Sequence, residues 1–395
     1  MAAFVISASP VLASEDIVRR TGEREQPGFA WSATVSDVPL VMTGQVFGWL
    51  EDGSVRDQSV SEQADRALEN LDAVLASSGS GLSRVVKLNV YLRRDEDHDA
   101  VAAAIGRAFS EHPVPVSWVR TALLDPSAQV AFDAVAQAPA GEGAVRAADV
   151  NGVPALEVGA HVGILPAGRK VFLSGRALRG ESFRGSVRAV LEDQNRTIRH
   201  HGLDPSNVVR VKAWVNPLHR IDDLNAELVG FFGDHPVPPT IVIGWTSVND
   251  SEIEFVLGGA NADDSRFSGP VSFGTRPGQE APTRFSHVAF VEAGQPLIFI
   301  SGLFGDRGEL VREQTQDMFA RLGRILFDTG SGFGYLVKGT YYNIDREGRA
   351  ALGDIRHVFF DPERPPAASG VVVHGVGREG HAATLDMIAV PLPEQ

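Results

Sequence analysis

The chain is 395 residues long, contains no cysteine and carries a formal net charge of −14. The lack of cysteine excludes disulfides, thiolate metal sites and thiol nucleophiles. The negative charge disfavours nucleic acid as a partner, because phosphate backbones are bound by clustered lysine and arginine. The 43% apolar content predicts buried cores, but no apolar run is long enough to span a membrane. The apolar stretch 2–13 has no basic residue before it, so we expect a cytoplasmic protein without a signal peptide.

The predicted elements begin with a unit at residues 25–138. Apolar residues recur at helical spacing on one face between Ala64 and Leu75, and a Ser-Gly-Ser-Gly run follows them. The run from Val85 to Leu92 predicts a buried strand. The unit is predicted to contain strands at 31–35 and 39–42, a helix at 61–77, a strand at 85–92, a helix at 97–109, and strands at 117–122 and 129–136.

Two further units, at 147–260 and 271–391, repeat this order after linkers at 138–143 and 261–265. Their predicted helices lie at 186–201, 221–232, 312–329 and 349–360, and their predicted strands at 171–175, 208–215, 240–245, 252–257, 297–302, 336–342, 370–374 and 383–390. Because helices alternate with strands and hairpins also occur, we predict three α+β domains of order β-β-β-α-β-α-β-β. Their helices should cover one face of each sheet.

Landmarks recur in the three units at nearly constant spacing. Each unit ends an apolar run with a Thr/Ser-Gly pair, whose glycines lie 131 and then 127 residues apart: Thr43-Gly44, Ser174-Gly175 and Ser301-Gly302. Each unit also has a strand lysine, at steps of 125 and 126 residues: Lys87, Lys212 and Lys338. A period of this size is a domain length rather than a solenoid repeat. The regular lysines predict an architectural role at equivalent positions.

The first unit contains Thr43-Gly44-Gln45, Gln63 with the helix run 67–71, the strand 85–92 and Pro115. In these residues it resembles the Rid (YjgF-type) family. Members of that family are usually homotrimers of one such domain, in a chorismate-mutase-like fold with a cleft between neighbours. The resemblance therefore implies an intramolecular pseudo-trimer with helices outside, sheets inside and three unequal clefts.

The family's chemistry is hydrolysis of 2-imino or enamine acids, and it implies two kinds of residue. One is an arginine after Pro-Ala, which holds the substrate carboxylate. This chain has Ser117, Thr240 and Ala368 in that register. The resemblance thus implies a small imine- or enamine-bearing substrate other than the usual 2-imino acids.

The second family residue is a glutamate on the last strand, which acts as acid or base on water. Unit one has Ala131 there and unit three has Thr384, whereas unit two has Glu252 and Glu254. Both glutamates share a face of the strand, because side chains alternate with period two. We therefore predict Glu252 and Glu254 as catalytic residues, in clefts bordered by unit two.

Further residues are predicted to bind the substrate. They occupy the glycine loops, a second-helix asparagine position, the arginine register and two aromatic cleft positions: Gly44, Gln45, Ser174, Gly175, Arg176, Asn225, Thr240, Trp31 and Phe285. Arg176 follows Ser174-Gly175 and is a candidate cation for the missing arginine. No cofactor or metal is expected.

Other functions remain open at this point. A catalytically silent Rid-fold protein that binds a metabolite or a partner enzyme would also explain the missing arginine. A ring-opening hydrolase of the cyanuric acid hydrolase or barbiturase kind is disfavoured, since those enzymes rely on Ser–Lys pairs and Thr43 replaces the serine here. Nuclease activity conflicts with the net charge of −14. The sequence leaves further self-association of the chain open.

Overall fold

A computed structural model of the chain describes residues 18–23, 26–55, 58–141, 144–259, 269–305 and 310–393. The predicted linker at 261–265 lies outside these residues. Six α-helices occur in the described part: α1 Val60–Ala76, α2 His98–Ala108, α3 Phe183–His200, α4 Ile221–Phe232, α5 Val311–Asp328 and α6 Arg346–Phe359. A capping box starts α1, in which the Ser59 hydroxyl accepts from the Glu62 N–H and the Glu62 carboxylate accepts from the Ser59 N–H.

The strands form three mixed sheets, each named here by its order in the chain. Sheet I contains β3 Leu40–Thr43, β4 Val46–Phe47, β5 Val85–Leu92, β6 Val116–Arg120, β7 Val130–Gln137, β8 Arg146–Ala148 and β9 Val162–Leu165. Sheet II contains β10 Lys170–Leu173, β11 Val208–Val215, β12 Thr240–Gly244, β13 Ser251–Gly258, β14 Val271–Gly274 and β15 Val288–Val291. Sheet III contains β1 Val18–Glu23, β2 Ala30–Val35, β16 Leu297–Ile300, β17 Leu336–Asn343, β18 Ala367–Val372 and β19 Ala383–Ala389.

Each sheet includes a two-stranded arm that is followed in the chain by a strand of a different sheet. The arm β8–β9 pairs with β3 in sheet I, the arm β14–β15 pairs with β10 in sheet II, and the arm β1–β2 pairs with β16 in sheet III. In the last of these, Val35 lies opposite Leu297 and Ser32 opposite Ile300. The three exchanges link the sheets in a closed cycle, so the N-terminal arm ties the start of the chain to its last sheet.

Apolar clusters lie on both faces of the sheets. The pairs α1/α2, α3/α4 and α5/α6 pack on sheets I, II and III in separate clusters. A fourth cluster joins strand residues of all three sheets, including Met42, Phe172 and Phe299. The α+β content and the predicted order of helices and strands are thus observed, whereas the exchange of arms was not predicted.

A β-bulge fixes the register of β5, β11 and β17 against the last strand of each sheet. The irregularity lies between Val85 and Lys87, between Val208 and Arg210, and between Leu336 and Lys338. The equivalent cations are therefore Lys87, Arg210 and Lys338. The prediction that Lys212 is equivalent to Lys87 and Lys338 is wrong, because Lys212 lies two residues after Arg210, the equivalent residue of β11.

Two negative findings apply to the described residues. None of their helices is both long enough and apolar enough to cross a bilayer. They contain no group of three or more His, Asp or Glu arranged to hold a metal ion.

Candidate functional site

Three buried ion pairs join the sheets. Lys87 Nζ of sheet I lies 2.7 Å from Asp386 Oδ1 of sheet III, and Lys338 Nζ of sheet III lies 2.7 Å from Glu254 Oε2 of sheet II. Arg210 Nη1 of sheet II lies 3.1 Å from Asp133 Oδ1 of sheet I. Each sheet thus supplies one cation and one carboxylate, and the pairs run in one direction around the cycle. These acids occupy equivalent positions, because Asp133, Glu254 and Asp386 lie opposite Asn89, Lys212 and Thr340.

Hydroxyl groups and one further lysine complete this charged centre. The Tyr91 hydroxyl donates to Asp133 Oδ2 at 2.5 Å, and Lys212 Nζ donates to the Tyr342 hydroxyl at 3.5 Å. Burial lowers the pKa of Lys212, although Glu254 acts against that shift. Burial also raises the pKa of Tyr342 well above its ordinary value, and neighbouring carboxylates add to the effect. The centre is enclosed by the sheets and holds them in register.

The junction of sheets II and III, where the family resemblance predicts a cleft and which is called here cleft II/III, lies beside this centre. The Ser174 hydroxyl accepts from the Ala368 N–H at 2.8 Å, and the Gly175 N–H donates to Ser369 Oγ at 2.9 Å. Glu252 lies against Gly175, because a Cβ added at position 175 would lie 2.8 Å from Glu252 Cδ and from Ser369 Oγ. The predicted Ser174, Gly175 and Glu252 are therefore brought together, and only glycine leaves room for the carboxylate.

Glu252 has the electrostatic character of an acid or base that works near neutral pH. Burial raises its pKa to about 7, and the nearby Glu254 carboxylate contributes in the same direction. Arg349, Lys338 and Arg276 oppose the shift. The side chain nevertheless stays partly exposed. A group that can exchange a proton at pH 7 thus lies at the junction of sheets II and III.

Glu254 has a different environment from Glu252. It is 5% exposed, pairs with Lys338 and accepts a hydrogen bond from the Ser369 hydroxyl. The Glu254 carboxylate is therefore already ion-paired and hydrogen-bonded to neighbouring side chains. Glu254 therefore positions the strands at the junction of sheets II and III, while Glu252 lies against Gly175.

Two guanidinium groups flank cleft II/III. Arg176 Nε lies 2.7 Å from Asp193 Oδ2, and Arg276 Nε lies 3.6 Å from the same oxygen. Arg276 is 3% exposed and donates to the Ser174 carbonyl at 3.1 Å. Burial, together with Arg176, lowers the pKa of Arg276 to about 10. Arg176 lies in the β10–α3 connection and Arg276 in the β14–β15 connection. Neither residue is at the strand position where the family has its arginine.

His287 supports Arg276 from the arm β14–β15. Its Nδ1 accepts a hydrogen bond from the Arg276 N–H at 3.1 Å, so that nitrogen carries no proton. Burial and the two nearby arginines lower the pKa of His287 to about 4. The ring also contacts the predicted Phe285 edge to face, with centroids 5.5 Å apart. His287 is therefore a neutral acceptor at pH 7.

The cleft between sheets I and II, cleft I/II, is small. It has a volume of about 190 Å³ and is lined by the predicted Gln45 and Thr240. Gln45 Oε1 accepts from the Val242 N–H at 3.2 Å. Leu156 covers Gly44, where a Cβ would overlap its side chain. The connection before β9 thus narrows this cleft.

The cleft between sheets III and I, cleft III/I, is larger than cleft I/II, with a volume of about 970 Å³. The predicted Trp31 lines it. The predicted Asn225 lies on α4, is partly exposed and makes no side-chain hydrogen bond with any described residue. The predicted site residues are therefore divided among the three clefts. Asn225 makes no hydrogen bond to any of the other predicted site residues.

The strand register corrects the position of the family arginine. Val116, Thr240 and Ala368 are equivalent, since they lie opposite Leu88, Val211 and Gly339. One residue further along each strand are Ser117, Ile241 and Ser369, so Thr240 and Ala368 precede the positions that are equivalent to Ser117 by one residue. The conclusion drawn from that register stands, because it holds no arginine in any sheet.

Comparison with known proteins supports the Rid resemblance for the first third of the chain. The endoribonuclease L-PSP family model matches residues 24–138. Protein DfrA of Myxococcus xanthus is 38% identical over 77 residues, which is 20% of this chain and 59% of that protein. RutC family protein UK114 of Drosophila melanogaster is 37% identical over 76 residues, or 19% of this chain and 55% of that protein. A RutC family protein of Synechocystis is 40% identical over 82 residues, or 20% of this chain and 63% of that protein.

Solved structures of the same kind are also similar. A YjgF family protein of Neisseria meningitidis is 26% identical, with 31% of this chain and 97% of that chain covered and a TM-score of 0.24. The Rid family protein YyfB of Yersinia pestis is 25% identical, with 31% and 98% covered and a TM-score of 0.28. The chain spans between 55% and 63% of the length of the curated relatives it matches. The family match thus supports a Rid-like domain over residues 24–138 of this chain.

Proposed function

We propose that the protein is an enzyme of the Rid kind that acts on a small imine or enamine in cleft II/III, with Glu252 as its acid and base. The observation that carries the proposal is the environment of Glu252. Among the equivalent positions Ala131, Glu252 and Thr384, which lie opposite Tyr91, Trp214 and Tyr342, only Glu252 can ionise. Its pKa of about 7 allows it both to accept and to return a proton at neutral pH.

The chemistry follows from that single group. The Glu252 carboxylate takes a proton from water as the water oxygen bonds to the imine carbon, and the C=N π electrons move to nitrogen. Glu252 then returns the proton to nitrogen and gives a carbinolamine. In a second transfer Glu252 moves the hydroxyl proton of the carbinolamine to nitrogen, the C–N bond breaks, and ammonia or an amine leaves as the carbonyl forms. Deamination and hydrolysis thus need one residue of intermediate pKa and no cofactor.

Substrate selection depends on the two arginines. Arg176 and Arg276 share the Asp193 carboxylate, so a substrate carboxylate would compete with Asp193 for both guanidinium groups. The arginine register itself holds no cation. We therefore favour imines and enamines whose binding does not depend on a carboxylate held bidentately, rather than the usual 2-imino acids.

The proposal includes the arrangement of the domains. Three Rid-like domains, at 25–138, 147–260 and 271–391, form an intramolecular pseudo-trimer with sheets inside and helices outside. The cyclic ion pairs, the cyclic exchange of arms and the strand cluster shared by all three sheets support this arrangement. One chain can then specialise each cleft, which a homotrimer cannot do.

A second function, a catalytically silent metabolite-binding or scaffold protein, is favoured by one observation. The Ser174 hydroxyl is fully used, because it accepts from the Ala368 N–H and donates to the Ser286 carbonyl. A Rid-like cleft in which the serine hydroxyl is already hydrogen-bonded and the arginine is absent would bind a small molecule without turning it over. Endoribonuclease activity, the name of the matching family model, is disfavoured by the net charge of −14.

The test is turnover of imines generated in the assay by an amine or amino-acid oxidase, followed as release of ammonia. Wild type should exceed the background rate, and Glu252→Gln should lower kcat/KM by roughly 10²–10⁴-fold. The matched control is Thr384→Val at the equivalent position of sheet III, which should keep wild-type kcat/KM. Equal rates above background for wild type and Glu252→Gln would remove Glu252 from the mechanism, and a wild-type rate no higher than background would favour the silent protein.

A further inference from the structure

Cleft III/I has an apolar floor and charged walls. Its floor is formed by aromatic side chains from two sheets and their connections: Phe29, Trp31, Trp118 and Phe304. Phe29, Trp118 and Phe304 are almost fully buried, while Trp31 is partly exposed. The volume of about 970 Å³ lies within the range of small-molecule sites. Such a floor fits a flat apolar group of the size of an aromatic ring.

The two walls carry opposite charge. The wall after β5 contributes the acids Asp95, Glu96 and Asp99. The wall on α5 contributes Arg321, Arg324 and Asp328, with a net positive charge, and the β18–β19 connection adds Arg378 and Glu379. A ligand with a cationic group at one end and an anionic group at the other would match this distribution.

Arg324 is the available partner for the anionic group. It is exposed on α5 and makes no hydrogen bond or ion pair with any residue in the described part of the chain. Its guanidinium can therefore bind a carboxylate without displacing another contact. On the acidic wall, Glu96 and Asp99 lie 3.0 Å from Arg94 and His98, but their side chains are 71% and 98% accessible and can also meet an ammonium group.

The cleft lacks an acid or base where cleft II/III has one. Thr384 replaces Glu252 there, is 0% exposed and donates its hydroxyl to the Leu303 carbonyl at 3.0 Å. The next acid on the same face, Asp386, pairs with Lys87. A ligand in cleft III/I would thus meet no acid or base at the strand position that Glu252 occupies in sheet II.

From these features we propose that cleft III/I is a non-catalytic binding site for a zwitterionic aromatic molecule of the aromatic amino-acid class. Its ring lies on the floor beside Trp31 and Trp118, its carboxylate meets Arg324, and its ammonium group meets the acidic wall. This site is separate from the Glu252 cleft and does not depend on the activity proposed there.

Calorimetric titration of the full chain with L-phenylalanine tests the proposal. Phenylacetate lacks the ammonium group, phenethylamine lacks the carboxylate and L-alanine lacks the ring. We expect saturable binding of L-phenylalanine and at least about tenfold weaker binding of each partial ligand. No saturable binding of L-phenylalanine would overturn the proposal. Equal affinity for phenylacetate would overturn the part played by the acidic wall.

Variants locate the site. Arg324→Gln should weaken L-phenylalanine about tenfold or more and leave phenethylamine unchanged, because only the carboxylate contact is lost. Arg66→Gln, an exposed arginine on α1 outside the cleft, is the matched control and should bind as wild type does. Glu252→Gln should also bind as wild type does, which separates this site from the catalytic cleft. Wild-type affinity in a folded Arg324→Gln variant would overturn the assignment.

Discussion

The backbone of Gly175 lies against the carboxylate of Glu252, so closely that a Cβ at position 175 would overlap that side chain. Gly175→Ala should therefore displace Glu252 and Ser369. We expect a loss of about 1–3 kcal/mol in the free energy of unfolding, as for other overpacked sites, and a loss of imine turnover. Denaturant unfolding and the ammonia assay measure the two effects.

Gly332→Ala is the control for that change. A Cβ at Gly332 would meet no atom within 4 Å, and its φ of −161° is extended backbone. Stability and turnover of that variant should equal those of wild type. If Gly175→Ala kept full turnover, the carboxylate could not be working from the position seen beside Gly175.

Glu252 should make the stability of the protein depend on pH. Its pKa of about 7 in the folded state is above the ordinary value of 4.5, so its stabilising protonated form is fully present below pH 4.5 and is lost as the pH rises through 7. A glutamine stays neutral throughout. The free energy of unfolding of Glu252→Gln, relative to wild type, should therefore rise by about 1–3 kcal/mol between pH 4 and pH 8.

Urea unfolding at several pH values measures this difference. Thr384→Val, at the equivalent position of sheet III, should differ from wild type by an amount that does not vary with pH. A constant difference for Glu252→Gln would contradict the raised pKa and with it the acid–base role.

A site residue could be predicted where a local sequence pattern marks it. The run Glu252-Ile253-Glu254 identified the acid strand, because alternation placed both carboxylates on one face. Choosing between them needed the burial and ion pairing of Glu254 with Lys338. Helix and strand positions were predictable for a similar reason, since periodic apolar residues depend only on local spacing.

Other parts of the site had no local signal. Asp133 and Asp386 join the charged centre only through the bulge that sets strand register, and a single sequence does not mark that bulge. Arg276 lies in the connection between β14 and β15, where no sequence motif marks it. It reaches the cleft because β15 pairs with β10. Arg210 was overlooked because Lys212, two residues away, matched the lysine spacing.

The Lys338–Glu254 pair should stabilise the junction of sheets II and III mainly because each charge needs the other. Lys338→Met leaves Glu254 buried without its cation, and we expect a loss of about 3–5 kcal/mol in the free energy of unfolding. The double variant Lys338→Met/Glu254→Leu removes both charges and should recover much of that loss. A double variant as unstable as Lys338→Met alone would indicate that packing, not the unpaired charge, causes the effect.

Asp37 connects the turns that precede the central strands of all three sheets. Its carboxylate accepts from the Gly168 N–H at 3.0 Å, from the Gly294 N–H at 2.6 Å and from Lys170 Nζ. Asp37→Asn removes the charge from these contacts and should lower the free energy of unfolding by about 1.5–3 kcal/mol.

Asp65→Asn is the matched control for Asp37→Asn. Asp65 forms an exposed pair with Arg107, so its loss should change the free energy of unfolding by at most about 1 kcal/mol. Because Asp37 joins three connections at once, its loss should also weaken the cyclic exchange of arms, which limited proteolysis of the variant would detect as earlier cleavage near residues 36–39. Equal protease resistance of Asp37→Asn and Asp65→Asn would mean that the arms are held by strand pairing alone.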